Sequence, residues 1–288
     1  MASPLELRRR IRSVDNTRQI TRAMQLVAAS RMRRAQEAVQ AARPYATHIS
    51  GMIERLVLAT GNDRLPPILQ PRPIERTAFL VLTTNRGLAG PLNTNIIRKT
   101  VSEIDATSDE IEVSVVVVGK KGQVALRGLY TLTAVFTDIN DQPSVLDIAP
   151  VTQLLVDGYE RGDFDEVRMI YPEFVNILTQ QPQVVRLFPV VLPEVQQDAR
   201  EADIIFEPDP ASVLEALIPR FVEMTVYRAM LELAASEQSA RMVAMRAATE
   251  NATELIEGLR LAYNKLRQSR ITSEIIDIAS GANALADA

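Results

Sequence analysis

Asp209-Pro210-Ala211-Ser212-Val213-Leu214-Glu215-Ala216-Leu217-Ile218-Pro219 opens a stretch that runs to Ala284, and its reading decides the fold. Asp209 is placed to cap the first free amides of a helix, with Pro210 at the first helical position. An apolar seam then recurs at Leu217, Phe221, Met224, Leu231, Ala235, Met242, Met245, Ala252, Ile256, Leu259, Tyr263 and Leu266. Its steps alternate between four and three, the rhythm of a coiled coil. Gly258 is tolerable alone, at about 1 kcal/mol. At 1.5 Å per residue such a helix spans roughly 110 Å. No compact domain of this chain could bury it, so it needs a partner helix, and its far end must lie against something outside the protein.

The partner is at the other end of the sequence. Ser3-Pro4-Leu5-Glu6 reads as a capping box with Pro at the first helical position. A second heptad follows at Leu7, Ile11, Val14, Arg18, Thr21, Gln25, Ala28, Met32, Ala35, Val39, Ala42, Ala46, Ile49, Ile53 and Leu56. Small residues in its middle, with Ala235 and Ala252 opposite, allow the axes to approach to about 8 Å. The polar seam residues Arg18, Thr21 and Gln25 are expected to face Arg228 and Gln238. Polar groups there cost stability and set register. Pro44 removes one backbone bond and bends the helix locally.

Charge is unevenly distributed along the 288 residues. Residues 1–58 hold 11 Arg against 4 acids, while the rest of the chain is acidic enough to bring the total to −4. A basic helix suggests nucleic acid or a membrane surface. Tyr45 is its one aromatic residue and no basic loop accompanies it, so an acidic protein partner fits better and no nucleic acid is expected. Cysteine is absent, which excludes a disulfide framework and thiol chemistry. No apolar run is long enough to cross a membrane as a helix. The Arg-rich first 25 residues have no apolar signal core, and Glu6 and Asp15 argue against a transit peptide.

Between the helices the texture changes. A Pro-rich connector over Gly61–Pro73 precedes strands expected at Thr77–Thr83, Glu112–Val118, Thr131–Phe136, Glu166–Pro172 and Val184–Val191. Helices are expected at Leu92–Ile104, Lys120–Leu129 and Ala149–Arg161. The alternation predicts a small doubly wound α/β domain with a mainly parallel sheet. The last two strands are too close for a crossover helix and should pair antiparallel. The fold class is therefore α/β: a long antiparallel two-helix coiled coil from the terminal helices, with a doubly wound domain between them. The expected divisions are 1–58, 74–195 and 209–288.

Catalytic chemistry is hard to find. Asn85-Arg86-Gly87-Leu88-Ala89-Gly90 follows a strand but lacks the third glycine of a dinucleotide fingerprint and any Gly-Lys-Ser/Thr ending. It reads as a tight turn, and Gly119-Lys120-Lys121-Gly122 as a solvated one. His48 is the only histidine, so neither a zinc site nor a triad is available. Asp163/Asp165 and Asp138/Asp141 read as solvated turn acids. No catalytic residue, metal ligand or cofactor is assigned. Two readings stay open on residues alone: a coiled-coil scaffold with a non-catalytic α/β domain, and a nucleotide-binding enzyme using the Asn85–Gly90 turn.

Three segments carry a family resemblance. Asn16-Thr17-Arg18-Gln19-Ile20-Thr21-Arg22-Ala23-Met24-Gln25-Leu26-Val27-Ala28-Ala29-Ser30-Arg31-Met32 resembles the N-terminal signature of the gamma subunit of F-type ATP synthase. So does Thr84-Asn85-Arg86-Gly87-Leu88-Ala89-Gly90. The fullest likeness is in Glu237–Met245, Ala248–Ala252, Tyr263–Gln268 and Arg270–Ile278, with Asp277 where the family pattern has Glu.

The resemblance implies a bacterial-type rotor shaft at the cytoplasmic face of the cell membrane, held there peripherally. Its terminal helices would stand inside a ring of alpha and beta subunits. Its central domain would meet the epsilon subunit and the membrane c-ring. ATP chemistry would belong to alpha and beta, and the coupling ion would be the proton. Arg18, Arg22, Arg31, Arg33 and Arg34, and near the far end Arg267, Gln268 and Arg270, are then expected to touch the ring. Met24 should lie near the moving contact with beta. The end of the second helix should outrun the first, with Ile271, Ile275 and Ile278 in an apolar sleeve.

Overall fold

The computed structural model describes residues 3–60, 65–70, 72–190 and 206–286. Residues 61–64 and 71 of the expected connector lie outside the described residues, as does the domain segment beyond 190 and the side chain of Ala46. The chain falls into two compact units. One holds residues 28–241; the other holds residues 1–27 and 242–288.

The helix starts are made by the residues that announce them. Glu6 N donates to Ser3 Oγ at 3.2 Å and opens α1 (Pro4–Thr60). Ala211 N and Ser212 N donate to Asp209 Oδ1 at 3.0 and 3.1 Å and open α5 (Pro210–Ala286). These bonds satisfy amides that have no partner inside the first turn.

The larger unit is built on a five-stranded sheet. Its strands are β1 (Arg76–Leu82), β2 (Glu112–Val118), β3 (Leu132–Phe136), β4 (Glu166–Phe174) and β5 (Gln180–Phe188), in the spatial order β3-β2-β1-β4-β5. Leu80 of β1 pairs in parallel with Val116 on one side and Met169 on the other. The runs Ala78–Leu82 and Val115–Val118 are buried on both faces, as expected for central parallel strands. Crossovers are α2 (Leu92–Asp105), α3 (Lys120–Leu126) and α4 (Val145–Arg161). The sheet grows outward from β1 through β3 and then returns to β4, so right-handed crossovers put α4 on the face opposite α2 and α3.

Two elements begin four residues earlier than expected, and one acid sits in a different setting. β5 begins at Gln180 and not at Val184, because Gln180–Pro182 continue the antiparallel ladder with β4 as far as Phe174↔Gln180. Pro182 is tolerated there because β5 is an edge strand. Helix α4 begins at Val145, four residues before the expected Ala149. A capping box between Ser144 and Asp147 sets the start and leaves Pro150 inside the helix. Asp165 is not a solvated turn acid: it is 3% exposed and ion-paired with Arg72 and Arg76. Burial pushes its carboxyl up, but hydrogen bonds from the Arg76 side chain and from the Glu75 and Arg76 amides leave it below the usual carboxylate range. That clamp ties the chain before β4 to the entry of β1.

The seam of α1 follows its heptad in both units. Ile49, Ile53 and Leu56 join the sheet in one hydrophobic core. At the start of α5 the expected seam is shifted, with Leu214, Ile218, Val222 and Val226 buried while Leu217, Phe221 and Met224 are half-buried; further on, the expected Leu231, Ala235, Met245, Ala252 and Ile256 are buried. The apolar face of α5 is broad here, and the core it enters chose an adjacent row of it. From Ala229 to Arg241 every residue is buried, so the helix has no solvent face at all over that stretch.

In the smaller unit the two helices run antiparallel. Thr21 and Thr249 share a hydroxyl hydrogen bond of 2.8 Å, and the Arg8 guanidinium lies 5.2 Å over the Tyr263 ring. Leu7, Met245, Ala252 and Ile256 are buried along this pairing. Thr21 therefore faces Thr249, and not Arg228 or Gln238. A heptad identifies the face a helix presents but carries no information on how far its partner is slid along it.

Candidate functional site

Three loops meet at the carboxyl ends of β1, β2 and β3, and short polar side chains tie them together. Thr83 Oγ1 donates to Val118 O and accepts from Gly122 N, each at 2.8 Å. Gly119, at φ 97°, has Thr83 O where a Cβ would stand, so no other residue fits there. Gly119–Gly122 is thus a packed junction and not a solvated turn. Asn85 bridges the remaining gap: its Oδ1 accepts from Lys120 N and its Nδ2 donates to Ile139 O, both at 3.1 Å. Asn93 accepts from Thr84 N and donates to Thr84 Oγ1, fixing the turn from the start of α2.

Beside these loops is a half-open cleft of about 750 Å³. Arg31, Arg34 and Ala35 of α1 line it, with Asn85, Arg86, Lys120, Thr137–Gln142, and Ala234 and Gln238 of α5. Asp141 lies 3.3 Å from Arg31 and 3.4 Å from Arg86. Asp138 and Asp141 are therefore cleft residues.

Sequence reasoning missed the neighbouring latch. Ser236 Oγ donates to Pro172 O at 3.2 Å and Ser239 Oγ to Ile177 O at 2.7 Å, which fastens α5 to the β4–β5 hairpin. Arg241 donates to Gly87 O at 3.0 Å and is ion-paired with Glu237; both side chains are almost fully buried. Burial pushes the Glu237 carboxyl up, and its hydrogen bond from Arg241 only partly offsets this. A signal was present. Ser236-Glu237-Gln238-Ser239 and Arg241 put polar residues on every face of one helical segment, which is hard to explain unless more than one neighbour covers it.

The expected contact residues are dispersed. Arg18 pairs with Asp15 of its own helix at 2.7 Å, and Arg270 with Glu274 at 3.1 Å. Arg22, Arg33, Arg34, Arg267 and Gln268 are exposed, and Met24 is half-buried. Arg31 turns toward Asp141. In the smaller unit every residue from Arg267 to Ser280 is exposed, including Ile271, Ile275, Ile276 and Ile278 at 46–73%. By the register of Thr21 with Thr249, Pro4 is level with about Leu266, so this run has no α1 residue beside it. His48 is exposed. Among the described residues no group of acidic or histidine side chains could hold a metal ion, and no helix is long and apolar enough to cross a membrane.

Comparison with known proteins gives a consistent result. The family described as ATP synthase matches residues 3–285. The ATP synthase gamma chain of Desulforamulus reducens is 44% identical over 99% of this chain and all of its own length. That of Roseiflexus castenholzii is 45% identical, with both chains covered completely. Among solved structures, a chain of the Euglena gracilis mitochondrial ATP synthase (OSCP/F1/c-ring) has a TM-score of 0.68 at 18% identity, covering 97% of this chain and 93% of its own. A chain of the Tetrahymena thermophila central stalk and c-ring has a TM-score of 0.62 at 22% identity, covering 80% and 99%. At such identities the likeness shows a shared fold.

Proposed function

Because the chain belongs to the ATP synthase gamma chain family, we propose that it is the central rotor shaft of a proton-translocating F-type ATP synthase. It couples rotation of the membrane c-ring to ATP synthesis or hydrolysis in the ring of alpha and beta subunits. The shaft is not itself a catalyst. It sits peripherally at the cytoplasmic face of the cell membrane, with epsilon and the c-ring as partners of the α/β domain.

The observation that carries this reading is the end of α5. Its isoleucines at 271, 275, 276 and 278 are exposed, on a run of helix that lies beyond the level of the first residue of α1. Such apolar exposure marks a contact surface. A bearing must let the surface slide, and apolar contacts are interchangeable where directed hydrogen bonds are not. Further along the helix pair, a shaft changes the state of a surrounding subunit only through contacts that differ between its orientations. Asymmetry supplies that difference: residues 1–58 carry an excess of seven positive charges, whereas residues 209–288 carry more acids than bases. Arg18, Arg22, Arg31, Arg33, Arg34, Arg267, Gln268 and Arg270, with Met24, are assigned to these contacts.

Two measurements test the reading. The tagged chain should co-purify with alpha and beta at one copy per hexamer; homo-oligomers without alpha and beta would overturn it in favour of a scaffold. Replacing the seven arginines and Gln268 together by Ala should lower ATP-driven proton pumping per assembled complex while leaving the fold intact. Each exposed pair is worth only about 0–1 kcal/mol, so single changes have small effects. Undiminished pumping in the combined variant would reject the assignment.

A further inference from the structure

We propose that the cleft at the carboxyl ends of β1, β2 and β3 is a binding site for a small, multiply charged anion of the phosphate class. Doubly wound sheets bind ligands at the carboxyl ends of their strands, and about 750 Å³ lies within the range of small-molecule sites. Four cations line the cleft, Arg31, Arg34, Arg86 and Lys120, against two acids, Asp138 and Asp141. Arg31 and Arg86 both neutralise Asp141. Arg34 and Lys120 have no ion pair among the described residues, so their charge faces the cleft uncompensated.

Gln238 is a separate observation. It lines the cleft, and although the residue as a whole is 4% exposed, its amide atoms are not sealed from the cleft and make no hydrogen bond among the described residues. An amide that reaches the cleft with no protein partner is free to donate to a ligand oxygen there. Net positive lining and the absence of a metal-holding cluster among the described residues favour an anion over a cation. An acidic segment of a partner protein could reach the exposed Arg34 and Arg86 but not the recessed Gln238 amide. A small phosphate-class anion uses both. The site shares Arg31 and Arg34 with the ring contacts proposed above, but its test reads equilibrium binding by the chain alone, so its failure and the failure of the rotor reading are distinguishable.

The test is calorimetric titration of the full chain with pyrophosphate, repeated with inorganic phosphate, for the native protein and four variants. One-to-one saturable binding is expected. Lys120→Gln and Arg34→Gln should each weaken it about tenfold, the scale of one charge-assisted contact. Gln238→Leu should weaken it about fivefold with an unchanged melting temperature, on the scale of a neutral hydrogen bond. Asp138→Asn should tighten it several-fold by removing a facing negative charge. Absence of saturation by about 10 mM, weaker than the weakest affinity a specific site of this kind should show, would overturn the proposal. So would undiminished binding by Gln238→Leu, weaker binding by Asp138→Asn, or binding of a Glu-rich peptide where pyrophosphate fails.

Discussion

Replacing Arg241 by Met tests whether the buried polar segment of α5 is a latch. Met keeps most of the stem and its packing but removes the charge, leaving Glu237 buried at 6% exposure without an ion-pair partner among the described residues. The Gly87 carbonyl also loses its donor. Removing one partner of a buried pair costs about 3–5 kcal/mol. Glu237 can escape part of this by taking a proton, and that sets a ceiling. Holding a carboxyl of ordinary pKa about 4.3 neutral costs about 1.4 kcal/mol per pH unit above that value. The ceiling is about 4 kcal/mol at pH 7.5 and about 2 kcal/mol at pH 5.5. Glu237 is already raised in the native fold, so its contribution is fully present below its unfolded pKa and is lost as pH rises through the folded one. Without Arg241 that loss deepens. Urea unfolding of the full chain should show a deficit of about 4 kcal/mol at pH 7.5, a melting shift of about 8–16 °C, shrinking to about 2 kcal/mol at pH 5.5. The double change Glu237→Gln with Arg241→Met should recover about half the loss and flatten the pH dependence. A deficit under about 1 kcal/mol, or the same deficit at both pH values, would refute the reasoning.

Three further outcomes are expected. Asp165→Asn should cost about 2–3 kcal/mol at pH 7 and progressively less below about pH 4, because the depressed native carboxyl contributes stability above its unfolded pKa and loses it as pH falls through the folded one; acid-unfolding curves of the two proteins should converge. Met24→Lys should impair coupling per assembled complex more than folding, whereas an equal loss of assembly and thermal stability with normal coupling would identify Met24 as ordinary seam packing. Charged substitutions at Ile271 and Ile275 should weaken assembly with alpha and beta more than deletion of Ile278–Ala288, and a structure of the complex with this segment in bulk solvent would reject the bearing.

The physical origin of what could be read in advance is periodicity and local bonding. Leu7 through Leu56 repeat at a spacing that puts them on one helical face whatever covers that face. The α1 seam was therefore legible. Val115–Val118 are β-branched on both faces of the pleat, and Ser3 and Asp209 cap with groups within three residues, so the sheet core and both long-helix starts were legible too. The signatures around Asn85 and Glu237 could be recognised as family marks, but their work could not be read from them. Asn85 ties Lys120 to Ile139, and Arg241 reaches Gly87, 154 residues away in the chain. Such pairs have no periodicity to betray them. The same holds for the slide of Thr21 against Thr249, the row of α5 that enters the core at Leu214 and Ile218, and the cleft that gathers Arg34, Lys120 and Gln238. Each depends on which distant segment lies alongside, and only the packing of the folded chain decides that.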